Sequence, residues 1–308
     1  MPAEIVAIGE LLLDLISLDY AANFAAADRY QRLPGGSPAN LAMNCARLGR
    51  KVALVATVGD DDAGTLLTEA VGAAGVETTH IQRHANPTTL IPVTKSKAVS
   101  DFEAYRMADR QISVAQLAVA GITEARIVHT TAFALSKEPA RSAILQACKQ
   151  AATAGVQLST DYNYADKIWG GKREEGLAVL RQLCTLGAFV KVSEVDYARL
   201  FLEAVTAPRT AAQRLRELGA KLVCLTLGEE GCYVLGEGAD FHLPAREVEV
   251  RDTTGAGDAF WSGFLSAHLA GYDWKVCARA GRSMAERKLR VVGPLRSTVS
   301  LAGLIADT

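Results

Sequence analysis

The chain has 308 residues, of which 49% are hydrophobic and 22% charged, and these values exclude a disordered or fibrous protein. Lys and Arg number 33 and Asp and Glu 34, so the net charge is −1, which argues against a general nucleic-acid-binding protein because such proteins carry an excess of cationic side chains. The six cysteines form no C-x-x-C pair, and the amino-terminal stretch has neither a basic signal-peptide region nor a long uncharged run. We therefore expect a reduced, cytoplasmic protein with no nucleic-acid or membrane partner.

Apolar, strand-like runs alternate with amphipathic helical patterns along the chain. The predicted strands occupy residues 4–10, 51–59, 126–131, 156–163, 188–193 and 221–228. The predicted helices occupy residues 38–49, 63–75, 138–155, 174–187 and 209–219. Strands that are apolar throughout are typical of a sheet buried on both faces, so the alternation predicts an α/β fold with a mostly parallel sheet flanked by helices. No linker-like segment divides residues 1–308, which we interpret as one domain.

Two segments interrupt this alternation. Residues 11–33 follow the first predicted strand without a helix, and residues 88–107 read as two strands joined by a polar turn around Ser100 and Asp101. Both segments suit a small antiparallel sheet that projects from the main sheet. Such a sheet would serve as a lid over a binding site, or it would be an addition to the sheet edge without that role.

The strongest local signal lies in residues 248–271. A strand-like run ends at Asp252, and Gly255, Ala256, Gly257 and Asp258 then begin a helix. Small residues at a helix amino terminus let backbone N–H groups converge on an anion, and a carboxylate beside them can act as a base for phosphoryl transfer. The alternative is that Asp258 only caps the helix. A dinucleotide-binding G-x-G-x-x-G pattern is not met, because Phe260 stands where it requires the third glycine.

A second signal lies in residues 33–49. Gly35 and Gly36 allow close approach of the backbone, Pro38 suits a first helical turn, and Asn40 could bind a polyol through its amide. By itself this segment is more typical of an ordinary turn and helix start than of a ligand-binding site.

Together the two segments, about 200 residues apart, resemble the two signatures of the PfkB (ribokinase-like) carbohydrate kinase family. The resemblance implies a doubly wound sheet with a β-sheet lid that joins two protomers into a homodimer. It also implies ATP-dependent phosphorylation of a sugar, with Mg²⁺ as a cofactor and K⁺ as an additional ion in some members.

The resemblance also implies roles for individual residues. Asp258 corresponds to the catalytic base, and Gly255, Ala256 and Gly257 to the anion hole for the transferred phosphoryl group. The corresponding sugar-binding residues are Asp14, Gly35, Gly36, Asn40 and Arg106. The corresponding nucleotide-binding residues are Asn163, Lys191, Ser193, Thr226 and Gly228. Asp252 and Thr254 match positions that bind a monovalent cation in some members of the family.

The segments around Pro87–Leu90, Tyr105-Arg106 and Asp161–Tyr164 resemble the branch of fructokinases and ketodeoxygluconate kinases. Ala165 stands where that branch has an arginine, which weakens the interpretation as a sugar-acid kinase because a carboxylate would lose its bidentate partner. Arg106 remains and could contact either kind of sugar, or it could be an ordinary exposed strand residue.

The sequence Lys191–Asp196 departs from the family pattern N-x-x-E, because Ser193 and Asp196 stand at its two ends. Asp196 could reach Mg²⁺ through water. The alternative is that Ser193 caps a helix whose first turn is acidic.

We expect a fructokinase-like kinase. Ketodeoxygluconate kinase, ribokinase and nucleoside kinase remain as alternatives, as does a regulator that binds sugar or nucleotide without catalysis.

Overall fold

A computed structural model describes residues 2–95 and 101–306. The strands are β1 (Ile5–Ile8), β2 (Leu12–Ser17), β3 (Tyr30–Gly35), β4 (Val52–Gly59), β5 (Ile81–His84), β6 (Leu90–Thr94), β7 (Asp101–Phe102), β8 (Ile127–Thr131), β9 (Gln157–Asp161), β10 (Phe189–Ser193), β11 (Leu222–Thr226), β12 (Cys232–Gly236) and β13 (Ala239–Leu243). The helices are α1 (Ser37–Arg47), α2 (Asp62–Ala73), α3 (Val114–Ala118), α4 (Ala140–Thr153), α5 (Asp166–Trp169), α6 (Arg173–Thr185), α7 (Glu194–Phe201), α8 (Pro208–Glu217), α9 (Ala256–Leu269), α10 (Trp274–Leu289) and α11 (Leu301–Ala306).

The main sheet has nine strands in the order β13-β12-β11-β10-β9-β8-β1-β4-β5. The strands from β11 to β5 run parallel, and β12 and β13 form an antiparallel hairpin at one edge. The strand order reverses direction around β1, whose Ile5 pairs with Val52 of β4 on one side and Ile127 of β8 on the other. The predicted mostly parallel, doubly wound sheet is therefore confirmed.

Helices cover both faces of the main sheet. Alternate side chains of β1 enter opposite cores: Val6 belongs to the core that contains residues of α4, α6, α7 and α8, and Ile5 to the core that contains residues of α1, α2, α9 and α10. This three-layer arrangement explains why the predicted strands are apolar at every position, since both faces of the sheet are buried. It also sets α1 and α9 side by side on one face, with their amino termini near the carboxyl ends of the strands.

A second, small sheet has the order β3-β2-β6-β7. It contains the predicted strands of residues 11–33 and 88–107, but the prediction that it is antiparallel is wrong. β2 pairs with β6 in parallel, because each continues the direction of a parallel main-sheet strand, β1 and β5 respectively. β3 and β7 flank this pair in antiparallel orientation. The predicted turn at Ser100 lies outside the described residues.

Two further differences from the sequence prediction concern residues 231–252. The hairpin of β12 and β13 was not predicted, and the strand predicted to end at Asp252 is absent from the described structure, where residues 244–250 are irregular. This segment alternates Val and Glu but pairs with no sheet edge, and Val248 and Val250 instead line a large cleft. These two apolar side chains form part of the cleft wall and do not belong to a hydrophobic core.

All six cysteines are buried as free thiols. In the two ranges that the structure describes, no helix is long and apolar enough to cross a membrane.

Candidate active site

Most of the predicted site residues meet at the edge formed by the carboxyl ends of the parallel strands. A cleft of about 980 Å³ contains Asp161 at the end of β9, Ser193 at the end of β10 and Thr226 at the end of β11. A smaller pocket on the far side of the α9 amino terminus contains Asp14 and Asn40. Gly255 lines both cavities, so they adjoin at the start of α9.

Asp258 lies in the first turn of α9, between the cleft and α1. Its Oδ1 accepts a hydrogen bond from Ser37 Oγ at 2.6 Å, and its Oδ2 accepts one from Asn40 Nδ2 at 2.9 Å. Both partners belong to α1, so two residues of the first signature hold the carboxylate of the second. The alternative that Asp258 is only a helix cap is wrong, because the cap position is Gly255 and no side chain caps this helix.

The Asp258 carboxyl is 8% exposed. Burial, and then the charge of Asp161, raise its pKa to about 6, although the bonds from Ser37 and Asn40 and the charge of Lys191 lower it. The carboxyl is thus mainly ionised at neutral pH while holding a proton more tightly than an exposed aspartate, which suits a general base.

The predicted anion hole begins α9. Gly255 is its cap residue with a left-handed φ of 75°, and Ala256 N–H donates to Thr253 O at 3.1 Å. First-turn N–H groups have no acceptor within a helix, so those of Gly257 and Asp258 remain available for an anion. A Cβ at Gly257 would lie 2.8 Å from Lys191 Nζ, so a larger residue here would displace this ammonium group.

A buried ion pair stands behind the anion hole. Lys191 Nζ lies 2.7 Å from Asp161 Oδ2, and the two residues are 4% and 3% exposed. Among the residues that the structure describes, Asp161 Oδ1 has no hydrogen-bond partner, although it is buried and the residue lines the cleft. A hard oxygen donor that lacks a partner is the kind of ligand Mg²⁺ takes directly or through water, so the donor set here fits that ion.

Asp196 stands at the start of α7, also on the cleft. Ser193 caps this helix, since its Oγ accepts from Asp196 N at 3.0 Å, and it donates to Asp196 Oδ2 at 2.6 Å. The capping alternative for Ser193 is therefore correct, and it is compatible with a place on the cleft wall. Burial raises the pKa of Asp196 to about 6. Thr226 and Gly228 line the same cleft, as does Asn163, whose Oδ1 accepts from Phe133 N.

Asp14 is one of two aspartates that line the smaller pocket; the other is Asp252. Burial, and then the charges of Asp258 and Asp252, raise the pKa of Asp14 to about 7. It lies over the glycine pair: a Cβ at Gly35 would be 2.1 Å from Asp14 Oδ2, and one at Gly36 would be 2.2 Å from the Glu10 carbonyl oxygen. The pair therefore has a structural role, because it lets β2 and the start of α1 approach each other.

Three predicted sugar-binding residues line neither cavity in the described structure: Gly35, Gly36 and Arg106. Arg106 is 9% exposed, so the alternative that it is an exposed strand residue is wrong. Its guanidinium is committed to a buried ion pair with Asp109 and also donates to Ser136 Oγ and the Phe133 carbonyl oxygen. In this structure it connects the small sheet to the end of β8.

Asp252 and Thr254 line the smaller pocket, but the Asp252 carboxylate is already paired. Its Oδ1 accepts from Thr254 N at 2.9 Å, and its Oδ2 accepts from Gly293 N at 3.0 Å and Lys288 Nζ at 3.1 Å. Burial raises the pKa of Asp252, but these hydrogen bonds and the charge of Lys288 outweigh it, so the pKa is lowered overall.

Sequence reasoning missed four residues of the site: Ser37, Arg47, Asp161 and Lys288. Ser37 directly follows the glycine pair, and Asp161 ends a predicted strand, so both had a positional signal. Arg47 and Lys288 sit near the carboxyl ends of ordinary amphipathic helices, where basic residues are common, and only the tertiary structure distinguishes them.

Comparison with known proteins agrees with this geometry. Residues 2–298 match the family described as pfkB family carbohydrate kinase. The chain is 34% identical over 292 residues to the ATP-dependent 6-phosphofructokinase of Thermoanaerobacterium thermosaccharolyticum, covering 95% of this chain and 89% of that protein.

Two solved structures are similar over nearly the whole chain. The fructokinase of Halothermothrix orenii has 32% sequence identity and a TM-score of 0.80, covering 95% of this chain and 100% of that one. An uncharacterized sugar kinase of Pyrococcus horikoshii in complex with ATP has 27% identity and a TM-score of 0.85, covering 98% and 97%. The chain therefore belongs to the pfkB family of carbohydrate kinases, enzymes that transfer a phosphoryl group to a sugar hydroxyl.

Proposed function

We propose that the protein is a fructokinase-like enzyme that transfers the γ-phosphoryl group of ATP to a hydroxyl group of a ketohexose. The observation that carries this proposal is the place of Asp258, which stands where the smaller pocket and the large cleft adjoin and is held by Ser37 and Asn40. The similarity to the fructokinase of Halothermothrix orenii supports the choice of sugar.

In this proposal the sugar occupies the pocket lined by Asp14 and Asn40, and ATP occupies the cleft lined by Thr226 and Gly228. Asp258 takes the proton of the attacking hydroxyl as the oxygen–phosphorus bond forms, and ADP leaves with the electron pair of the broken bond. The N–H groups of Gly257 and Asp258 and the Lys191 ammonium group then stabilise the charge on the phosphoryl oxygens.

Mg²⁺ would be held by the partnerless oxygen of Asp161 and, through water, by Asp196, and it would neutralise charge on the ATP phosphates. The Lys191 ammonium group keeps the other Asp161 oxygen in place. Asp161 therefore couples the metal side of the cleft to the anion hole.

The test is sugar-dependent ADP release over a panel of fructose, ribose, ketodeoxygluconate and nucleosides. We expect fructose to give the highest kcat/KM, and Asp258→Asn to reduce turnover by at least about a thousandfold while ATP still binds. Near-full activity of the variant would exclude Asp258 as the base. If no compound of the panel causes ADP release, the alternative of a regulator that binds sugar or nucleotide without catalysis is favoured.

A second candidate is that the acceptor is a sugar phosphate, as the name of the Thermoanaerobacterium relative suggests. Asn40, Asn44 and Arg47 lie on one face of α1 and all line the smaller pocket. The Arg47 side chain has a buried Nη1 with no hydrogen-bond partner in the described structure. Arg47 is half-buried, and a buried guanidinium nitrogen without an acceptor costs free energy, so Arg47 favours an acceptor with a negative group.

The geometry of α1 supports a phosphate at the far end of the acceptor. Asn40 touches Asp258, and Arg47 lies two helical turns further, about 10 Å along the axis at 1.5 Å per residue. This separation is comparable to the length of a hexose 6-phosphate. We therefore add fructose 6-phosphate to the panel. Arg47→Met would raise its KM by about 10- to 100-fold, the equivalent of one charge-assisted hydrogen bond, and leave the KM for fructose nearly unchanged.

We further propose that the small sheet closes over the sugar and joins two protomers. Its surface and adjoining loops expose large apolar side chains: Leu18, Tyr20, Phe24, Tyr105 and Met107. Exposed apolar clusters of this kind are typical of interaction sites. Light scattering should give a dimeric mass, and Phe24→Ser combined with Tyr20→Ser should shift it toward the monomer; a monomeric wild-type protein would contradict the proposal.

A further inference from the structure

The resemblance to the family implies a monovalent cation at Asp252 and Thr254, yet a side chain already takes the cation's place. The Lys288 ammonium group lies 3.1 Å from Asp252 Oδ2 and 3.2 Å from the Val291 carbonyl oxygen. Lys288 is 4% exposed, so this cation is buried and fixed.

One carboxylate and one carbonyl group that could hold a free ion already accept hydrogen bonds. Cations such as K⁺ are held by several carbonyl or carboxylate oxygens at once. Here the Asp252 carboxylate accepts from the ammonium group and from the N–H groups of Thr254 and Gly293, and the Val291 carbonyl accepts from the ammonium group. A second positive charge beside a buried ammonium would also be repelled. The residues present do not fit a free monovalent cation.

The position of Lys288 connects this contact to the anion hole. Its Cε would lie 3.8 Å from a Cβ at Gly255, the cap residue of α9. Its partners belong to two loops, the one from Asp252 to Gly255 and the one that follows α10 and contains Val291 and Gly293. The ammonium group therefore fastens together the two loops that set the conformation of the helix start.

We propose that Lys288 is a built-in substitute for the monovalent cation, a positioning residue that holds the 252–255 loop and makes the kinase independent of K⁺. This inference rests on the proposed role of residues 255–258 in binding the phosphoryl group, but not on which sugar is phosphorylated.

The first test needs no variant. Activity of the wild-type protein is measured in a buffer whose only monovalent cation is tetramethylammonium, and K⁺ or NH₄⁺ is then added. We expect less than a twofold change in kcat and KM. Activation of several-fold or more by K⁺ would overturn the proposal, because it would show a free ion acting despite Lys288.

The second test removes the ammonium group in two ways. Lys288→Ala leaves space for an ion, whereas Lys288→Met removes the charge but keeps most of the volume. Without K⁺, both variants should lose activity by about tenfold or more, since the loop loses a charge-assisted contact. With K⁺, Lys288→Ala should recover with a saturable dependence and Lys288→Met should not. Full activity of Lys288→Ala without any ion, or a folded Lys288→Ala that K⁺ does not rescue, would overturn the proposal.

Thermal unfolding provides a readout besides activity. K⁺ should raise the melting temperature of Lys288→Ala relative to tetramethylammonium at equal ionic strength and leave the wild-type protein unchanged. Lys275→Ala, which removes a lysine from the opposite end of the same helix α10, is the control and should behave like the wild type in both assays. A wild-type protein without any sugar kinase activity would refute the proposed function, but the K⁺-dependent melting temperature of Lys288→Ala would still decide this inference.

Discussion

Replacing Ser37 by alanine should lower the ionised fraction of Asp258 at acidic pH and leave Asp258 ionised at alkaline pH. Ser37 Oγ donates to Asp258 Oδ1 at 2.6 Å, and this bond is one of the contributions that lower the pKa of Asp258. The variant keeps the backbone N–H of residue 37, which donates to Glu10 Oε1, so the start of α1 should stay in place.

The size of the effect follows from the hydrogen bond. A hydrogen bond to a charged group contributes about 1.5–3 kcal/mol, and part of it persists when the carboxyl is protonated. A preference of about 1.4 kcal/mol for the ionised form corresponds to about one pKa unit. The pKa of Asp258, about 6 in the wild-type protein, should therefore rise by about one unit. At pH 6 the ionised fraction would fall from about one half to about one tenth, or about fivefold.

The assay is kcat/KM for the sugar at saturating ATP and Mg²⁺ between pH 5 and 9, with ADP release coupled to a second enzyme. The acid limb of the profile should move upward by about one unit, and the rates above pH 8 should differ less than about twofold. Ser262→Ala is the matched control, because Ser262 is a buried serine of α9, the helix that contains Asp258, and its hydroxyl donates to the Ala259 carbonyl instead. An acid limb that stays in place in Ser37→Ala, or that moves equally in Ser262→Ala, would refute the reasoning.

Three more results are expected. Asp258→Asn should be more stable to urea than the wild type by about 1–3 kcal/mol at pH 8 and equal to it near pH 4. The pKa of Asp258 in the folded protein is raised to about 6, so the wild type loses stability as the pH rises from about 4 to about 6, whereas the variant does not. Equal stabilities at pH 8 would contradict this. Gly257→Ala should reduce kcat by at least about tenfold by displacing Lys191. Gly303→Ala should have no effect, because a Cβ at this helical position would make only ordinary contact with Ser300; equal activities of the two variants would exclude the steric argument. Asp14→Asn should raise the KM for the sugar about tenfold or more and alter kcat less, and an unchanged KM in the same assay would exclude Asp14 from sugar binding.

Local sequence patterns predicted the central part of the fold well because its strands are buried on both faces. Predicted runs such as 221–228 and 209–219 correspond to β11 and α8 within a few residues. The apolar pattern was misleading at residues 248–250, where the apolar side chains line a cleft instead of joining a sheet. Val248 and Val250 alternate with charged residues as in an edge strand, but the surface they cover is the cleft. The parallel pairing of β2 with β6 depends on chain paths that are set by the whole sheet, so no local pattern indicates it.

The two signatures indicated residues of the candidate site but not the hydrogen bonds between them. Each signature is a helix start, and only packing of α1 against α9 shows that Ser37 and Asn40 bond to Asp258 across more than 200 positions of sequence. The ion pair between Arg106 and Asp109, three residues later, was also not predicted, although both residues lie in one short stretch of sequence.

The single residue Gly255, which lines both cavities, has a consequence for the order of events in the reaction. Because the two cavities share no other lining residue, the proposed function implies that sugar and nucleotide are bound at the same time and approach the start of α9 from opposite sides. Initial-rate plots should then intersect, as they do for a ternary complex, and a phosphorylated enzyme should not accumulate. Attack from the side opposite the leaving ADP also requires that a chiral phosphoryl group be transferred with inversion of configuration.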